Sequence, residues 1–344
     1  MNLLLIDYIT LLGHRNFNMI HVESMLRLGH NITLVGRKEA LSYIRENDKI
    51  SKIILPEWVY GKKHKTHSYF HRKLLDIRTL YWIKRNVQYK PFDKIVFLAY
   101  DIMSLSFFRT NKEVILINHA NVSELSNRQN FILTKLLPRN YKHVGLNSCM
   151  LSRLRELFPT KIVQYVPHGI VPTNNSGKRP SFMKEGEKFL FCPVNSNYDR
   201  VFIKRIFESD IIINALQDHD IKLFVKESSG IESSTRCIKN IVSKLSNEEY
   251  DYMLKNALAV ILPYSNDFKY RCSGIFFECV AYDTPVLTTK MEDMLIYKND
   301  ANILFFQDED ELVDNMVKID KGEKRLIDKS IFSPDKYWQD VLCK

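Results

Sequence analysis

Residues 257–289 hold the groups best placed to do chemistry. An apolar run, 257–262, is stopped by Pro263 and reads as a buried strand. A polar loop, 264–272, leads to Ser273-Gly274, which open an apolar helix over 275–282, before a second short strand at 285–288. A loop that leaves a parallel strand and enters a helix leaves amides without acceptors, with the positive end of the helix dipole behind them. The spacing therefore predicts that the N–H groups of Ser273, Gly274, Ile275 and Phe276 face a phosphate or diphosphate. Glu278, one turn into the helix, can accept hydrogen bonds from a ribose. An ordinary strand–helix–strand unit with a helix-embedded glutamate is the plainer reading of the same residues.

His119 is the second candidate. It follows the apolar strand 113–117 in Asn118-His119-Ala120, and the carboxyl edge of a parallel sheet is where ligands bind. A purely structural histidine is the alternative there. No metal site is expected. Asp308-Glu309-Asp310 opens an acidic surface helix, and the six cysteines (149, 192, 237, 272, 279, 343) show neither CxxC nor His/Cys ligand spacing. Four of them lie in or beside apolar segments, as buried reduced thiols do.

The elements that must carry these groups alternate strand and helix from the start. Residues 3–6 form a buried strand, Gly13-His14 follow a turn, and 15–29 read as a helix with Phe17, Ile20, Met25 and Leu28 on one side. A strand at 32–36 completes an opening that lacks both GxGxxG and the P-loop glycines. Strands at 52–55, 94–99, 113–117, 143–146 and 161–166 alternate with helices at 101–109, 128–137 and 148–158, the last with Ser148 as N-cap. The second half has strands at 188–192, 222–226 and 302–306 and helices at 201–218 and 309–318. Ser246 and Glu249 set a capping box for a helix before residue 257. Ser333 and Pro334 start a closing helix. Residues 172–187, polar with two glycines and Pro180, read as a linker. The expected organisation is a first domain at 1–171, the linker at 172–187, a second domain at 188–330 and a returning helix at 331–344.

A chain of 344 residues with 45% hydrophobic content has enough apolar side chains for two cores. No run reaches the ~20 apolar residues needed to span a bilayer, and Asp7 interrupts the first one, so neither a membrane span nor a secretory signal is expected. Scattered thiols add to the expectation of a cytoplasmic protein. Charge is divided unevenly. Residues 1–170 carry 26 Lys and Arg against 12 Asp and Glu, a balance of +14, and the remainder carry 24 against 28. Nine of the basic residues fall between 62 and 90, among them Lys62, Lys63, Lys65, Arg72 and Lys73, with aromatics interleaved and Asp76 as the single acid. Leu74, Ile77, Leu80, Tyr81 and Val87 recur at helical spacing there. An anionic membrane, a phosphate-bearing acceptor or nucleic acid would suit this half, and so would plain solvation of a basic edge.

Several of these segments, in order, resemble the GT-B glycosyltransferases, in particular the family-4-type nucleotide-sugar transferases of bacteria. That family shows a Pro-ended strand, E-x7-E enclosing a glycine segment, and G-x-P-V. Here Glu278 stands at the second glutamate, Ser273-Gly274-Ile275 partly matches the glycines, and Asp283-Thr284-Pro285-Val286 matches the end. Tyr270 replaces the first glutamate. The Gly29-His30 turn ahead of the strand at 32–36, Val166-Pro167-His168-Gly169-Ile170 and the closing Phe332-Ser333 helix are further matches, so the resemblance spans nearly the whole chain.

The resemblance implies an α/β fold of two Rossmann-like parallel-sheet domains facing across a cleft, with the last helix returning to the first domain. It implies transfer of a sugar from a nucleotide-diphosphate donor to an acceptor hydroxyl, with retention and without metal or other cofactor. It places Gly13 and His14 near the donor and His119 at the sugar. It also expects an Arg and a Lys on the diphosphate, where this chain has Val194 and Arg200, so that Lys204 and Lys226 would supply the missing charge. The expected partners are the nucleotide sugar, a glycan or lipid-linked acceptor of bacterial surface polysaccharide or glycolipid synthesis, and an anionic membrane surface touched from the cytoplasmic side. Nucleic acid is not expected. A nucleic-acid-binding protein, an inactive GT-B partner subunit and a nucleotide-sugar epimerase are the competing readings.

Overall fold

The computed structural model describes residues 1–343 except 10–14, 62–68, 120, 126, 172–176, 194–196, 227–236, 242–243 and 323–326. The chain forms two compact units. The first comprises Met1–Gly169 with Tyr270–Cys272 and Phe332–Lys344, and the second Ile170–Lys269 with Ser273–Ile331.

In the first unit the chain runs β1 (Asn2–Asp7), α1 (Arg15–Arg27), β2 (Asn31–Gly36), α2 (Lys38–Leu41), β3 (Ile50–Ile54) and α3 (Glu57–Tyr60). It continues as α4 (Tyr69–Asn86), β4 (Lys94–Ala99), α5 (Ile102–Leu105), β5 (Glu113–Asn118), α6 (Val122–Leu125), α7 (Arg128–Lys135), β6 (Tyr141–Gly145), α8 (Ser148–Leu157) and β7 (Val163–Tyr165). The second unit holds β8 (Phe189–Cys192), α9 (Arg200–Glu208), α10 (Asp210–Asp218), β9 (Lys222–Val225), β10 (Ile238–Asn240) and α11 (Asn247–Asn256). Then follow β11 (Ala259–Leu262), α12 (Gly274–Ala281), β12 (Val286–Thr289), α13 (Glu292–Leu295), β13 (Ile303–Phe306) and α14 (Glu309–Asp320). The final helix, α15 (Asp335–Cys343), belongs to the first unit.

Each unit has one wholly parallel sheet, in the order β3-β2-β1-β4-β5-β6-β7 and β10-β9-β8-β11-β12-β13. Helices that cover both faces of a parallel sheet leave no solvated side, so central strands are continuous apolar runs rather than alternating ones. Leu3, Leu4, Leu5 and Ile6 in β1 and Ala259, Val260, Ile261 and Leu262 in β11 are all 0% exposed.

The structure departs from the expected elements in several places. The helix expected over 201–218 breaks at Ser209, whose extended backbone ends α9 while its side chain accepts from Ile212 N to start α10. The helix expected over 101–109 is the single turn α5, and α8 is capped by Asn147, one residue before Ser148. The described part of the 172–187 segment packs on the second unit. Lys178 N donates to Glu248 O, the Phe182 ring lies 5.6 Å from Phe224, and Met183 is buried. Finally, the single apolar stripe read along α4 is two. Leu75, Leu80, Ile83 and Val87 are buried, while Leu74 and Tyr81 are 47% and 55% exposed.

The closing helix docks on α1. Trp338, fully buried, donates its Nε1–H to His21 Nδ1 at 2.9 Å, and Arg27 holds Asp335 through two 2.8 Å bonds.

Candidate functional site

In the second sheet β8 lies between β9 and β11, so the strand order reverses there. Ligands of open parallel sheets bind beyond the carboxyl ends of strands at such a reversal. The two loops leaving this point are stitched together: Asp199 N donates to Pro263 O at 2.7 Å, and Ser265 N to Asn197 O at 3.0 Å. Thr288 and Thr289 anchor the same edge by donating their hydroxyls to the carbonyls of Leu262 and Tyr264.

The second loop delivers the chain to α12. Tyr264 stacks on Phe268 with centroids 4.0 Å apart, and its phenol pairs with the Ser273 hydroxyl. Ser273 Oγ in turn accepts from Phe276 N at 3.1 Å and caps the helix. One of the four amides expected to face a phosphate, that of Phe276, is thus already engaged. Those of Gly274 and Ile275 have no acceptor among the described residues, as the first turn of a helix requires. Gly274 is exposed, its φ is not positive, and a Cβ there would meet nothing within 4 Å. Neither backbone strain nor internal packing therefore calls for glycine, and a side chain there would meet open space.

Glu278, half-exposed, lies one turn further along α12. Burial, and then the Glu278 carboxylate, push the phenol of Tyr250 on α11 well above its ordinary range. Lys226, at the end of β9, sets its ammonium 6.0 Å from the centre of the same Tyr250 ring. Tyr250 therefore brings Lys226 and Glu278 to one neighbourhood.

In the first unit His119 follows β5 directly and is half-exposed. Asn118 fixes the strand end: it accepts from Tyr100 Oη at 2.6 Å and donates to Leu116 O and Val144 O. The His119 ring packs 4.7 Å from Phe17 and 5.6 Å from His168. Phe17 also meets His21 at 4.3 Å, and His168 Nδ1–H donates to Gly169 O. Burial, with a smaller contribution from His168, lowers His21 to about 3, so it stays neutral.

No family model matches the chain, and no curated protein sequence matches it. Solved structures do. HepE of Anabaena, solved with UDP and glucose, superposes with a TM-score of 0.64 at 11% identity, covering 100% of this chain and 99% of that one. WaaG, a glycosyltransferase involved in lipopolysaccharide biosynthesis, gives 0.56 at 15% identity over 93% and 90%. The UDP-GlcNAc 2-epimerase of Methanocaldococcus jannaschii gives 0.61 at 13% identity over the full length of both chains.

The chain has the GT-B fold.

Its two parallel-only sheets match the two Rossmann-like domains of GT-B structures. Transferases and an epimerase share that fold, so the reaction must be argued from the site. Gly13, His14, Val194, Lys62, Lys63 and Lys65 lie outside the described residues. Arg200 is the exposed first residue of α9, at the carboxyl edge of β8. Lys204 is two-thirds exposed and pairs with Glu208 at 3.7 Å along α9. Arg72 is exposed on α4, but Lys73 turns inward to an ion pair with buried Asp101 and does not belong to an outward basic set. Tyr270, where the family pattern has a glutamate, has a left-handed backbone (φ 54°) and belongs to the first unit, with the Arg153 guanidinium 5.7 Å from its ring. The tyrosines Tyr198, Tyr250 and Tyr264 were not expected. Tyr264, directly behind the strand-ending Pro263, is the one that spacing could have pointed out.

Proposed function

We propose that this protein is a glycosyltransferase that moves a sugar from a nucleotide-diphosphate donor to an acceptor hydroxyl. The observation that carries the reading is the open N-terminus of α12 at the strand-order reversal, with Glu278 one turn on. The Gly274 and Ile275 amides would take the diphosphate and Glu278 the ribose, with Tyr250 behind the carboxylate. As the sugar–oxygen bond breaks, negative charge grows on the leaving diphosphate, and amides already aligned by the Ser273 cap lower that barrier without reorganisation. Arg200 and Lys226 are the cations proposed to assist, and no metal or other cofactor is invoked. His119, half-exposed at a fixed strand end, is proposed to contact the reacting sugar. Retention of anomeric configuration is the proposed outcome.

UDP sugars are the first donors to try, since HepE is described with UDP and glucose. A thermal-shift screen against UDP, GDP, ADP and CMP sugars tests the reading, because a ligand of the native state raises apparent stability. Stabilisation by one nucleotide class is the expected result, and stabilisation by none overturns it. Nucleotide-sugar epimerisation is the second reading, favoured by the full-length likeness to an epimerase. Product analysis separates the two, as a transferase gives free nucleotide diphosphate and a glycosylated acceptor, an epimerase a new nucleotide sugar.

The acceptor side is proposed to work at an anionic membrane, reached from the cytoplasm, in surface polysaccharide or glycolipid synthesis. Support comes from the basic first half and from exposed Phe70, Tyr81 and Phe107 near Arg72, Lys84 and Arg85. Among the described residues no helix is long and apolar enough to cross a membrane. Co-sedimentation with phosphatidylglycerol vesicles should be strong at low salt and fall steeply as salt rises. Equal binding to neutral vesicles would remove the electrostatic part of this proposal.

A further inference from the structure

One side of α4 is apolar and largely exposed among the described residues. Leu74, Ile77 and Tyr81 recur three and four residues apart, a different side from the buried stripe through Leu75, Leu80 and Ile83. With Phe107 (64% exposed) opposite and Leu80 and Phe108 beneath, they enclose a cavity of about 320 Å³. Its polar neighbours are mostly engaged. The Ser104 hydroxyl bonds Tyr8 and the Asp101 carbonyl, Arg78 Nε donates to Val59 O, and Tyr81 Oη accepts from Arg85 Nε. Lys84, exposed at the rim, has no partner among the described residues.

The shape and charge together narrow the occupant. At about 30 Å³ for each group the size of a water, the cavity has room for roughly ten. Lys84 at the rim, with Arg85 one residue on and held over the outer Tyr81 ring, calls for an anionic head on an apolar chain. We infer that this groove takes the hydrocarbon chain of the phosphate-bearing lipid that carries the acceptor hydroxyl. The inference rests on the transferase reading and gives that reading its acceptor class.

The test is calorimetric titration of the full chain with n-alkyl phosphates of four to sixteen carbons, each below its micelle concentration. Affinity should rise with every carbon that enters, by up to about fourfold each, and level off near ten carbons. Leu74→Asp and Phe107→Asp, both at exposed positions, should keep the melting temperature and flatten the series. Lys84→Glu should weaken every member about threefold to tenfold without changing the length at which it levels off. The inference is overturned by affinity that is indifferent to chain length, or by a length dependence that survives both aspartates. It is overturned equally by a dimer in sedimentation that Leu74→Asp breaks, since a second copy then covers the stripe. UDP titrated into the same variants reports on the second unit and should be unchanged. Alkyl phosphate binding without any nucleotide binding would keep the groove and discard the transferase, and the reverse would discard the groove alone.

Discussion

At the scale of single residues, Gly274 makes the sharpest statement. A side chain there is tolerated by the fold but would stand in front of the two open amides. Gly274→Val should change unfolding free energy by no more than ~0.5 kcal/mol, yet weaken nucleotide binding at least tenfold by titration. Glu278→Ala removes a charge-assisted hydrogen bond, worth about 1.5–3 kcal/mol. The same titration should show that loss with UDP and a smaller one with inorganic diphosphate, which has no ribose. Histidines give a pH signature of a different kind. His21 and His143 are fully buried and lowered to about 3, chiefly by burial. Neither ring nitrogen of His143 has a hydrogen-bond partner among the described residues, and its ring stacks on Phe158 at 4.3 Å. An unfolded chain binds these protons near 6.5 and the folded one does not. Their contribution is therefore complete above pH 6.5 and is lost as pH falls toward 3, by at most ~1.4 kcal/mol per pH unit for each. Urea denaturation at pH 7 and pH 5 should show the loss, and His143→Leu should remove about half of it.

At the scale of elements, what could be read from the chain was decided by burial. β1 and β11 were legible because a strand buried on both faces is simply a run of apolar residues ended by a breaker, Asp7 in one case and Pro263 in the other. Helix α11 was legible because Ser246 and Glu249 satisfy each other's backbone donors, a purely local matter. The break between α9 and α10 was not, since both halves keep helical apolar spacing and only the Ser209 conformation separates them. Ser209→Ala removes that cap and should cost about 0.5–2 kcal/mol in a denaturant titration. The loop entering α12, where the diphosphate is proposed to bind, was readable from spacing. The tyrosines behind it were not, because Tyr198, Tyr250 and Tyr264 come from three separate segments, and only in the fold does the Tyr198 ring meet that of Tyr264 at 5.1 Å. The two faces of α4 escaped for a related reason: apolar periodicity shows that a helix has apolar sides, not which of them the core takes.

At the scale of the whole molecule, the first unit is made from distant parts of the chain, and the join is strong where it is buried. Trp338 offers its only polar hydrogen to His21 in a dry setting, whereas Arg27, half-exposed, meets Asp335 in solvent. Trp338→Phe should leave a buried acceptor unpaired and cost about 1–3 kcal/mol. Asp335→Asn should cost less than ~1 kcal/mol, and chemical denaturation can rank the two.

That arrangement also sets an order of events. A ribosome releases the chain from its first residue onward, and units commonly fold as they emerge. The seven-stranded sheet is complete once β7 has been made, yet α1 must wait for α15 through the synthesis of the entire second unit. During that interval His21 faces water where Trp338 will later sit. The first unit begins folding earliest and finishes last.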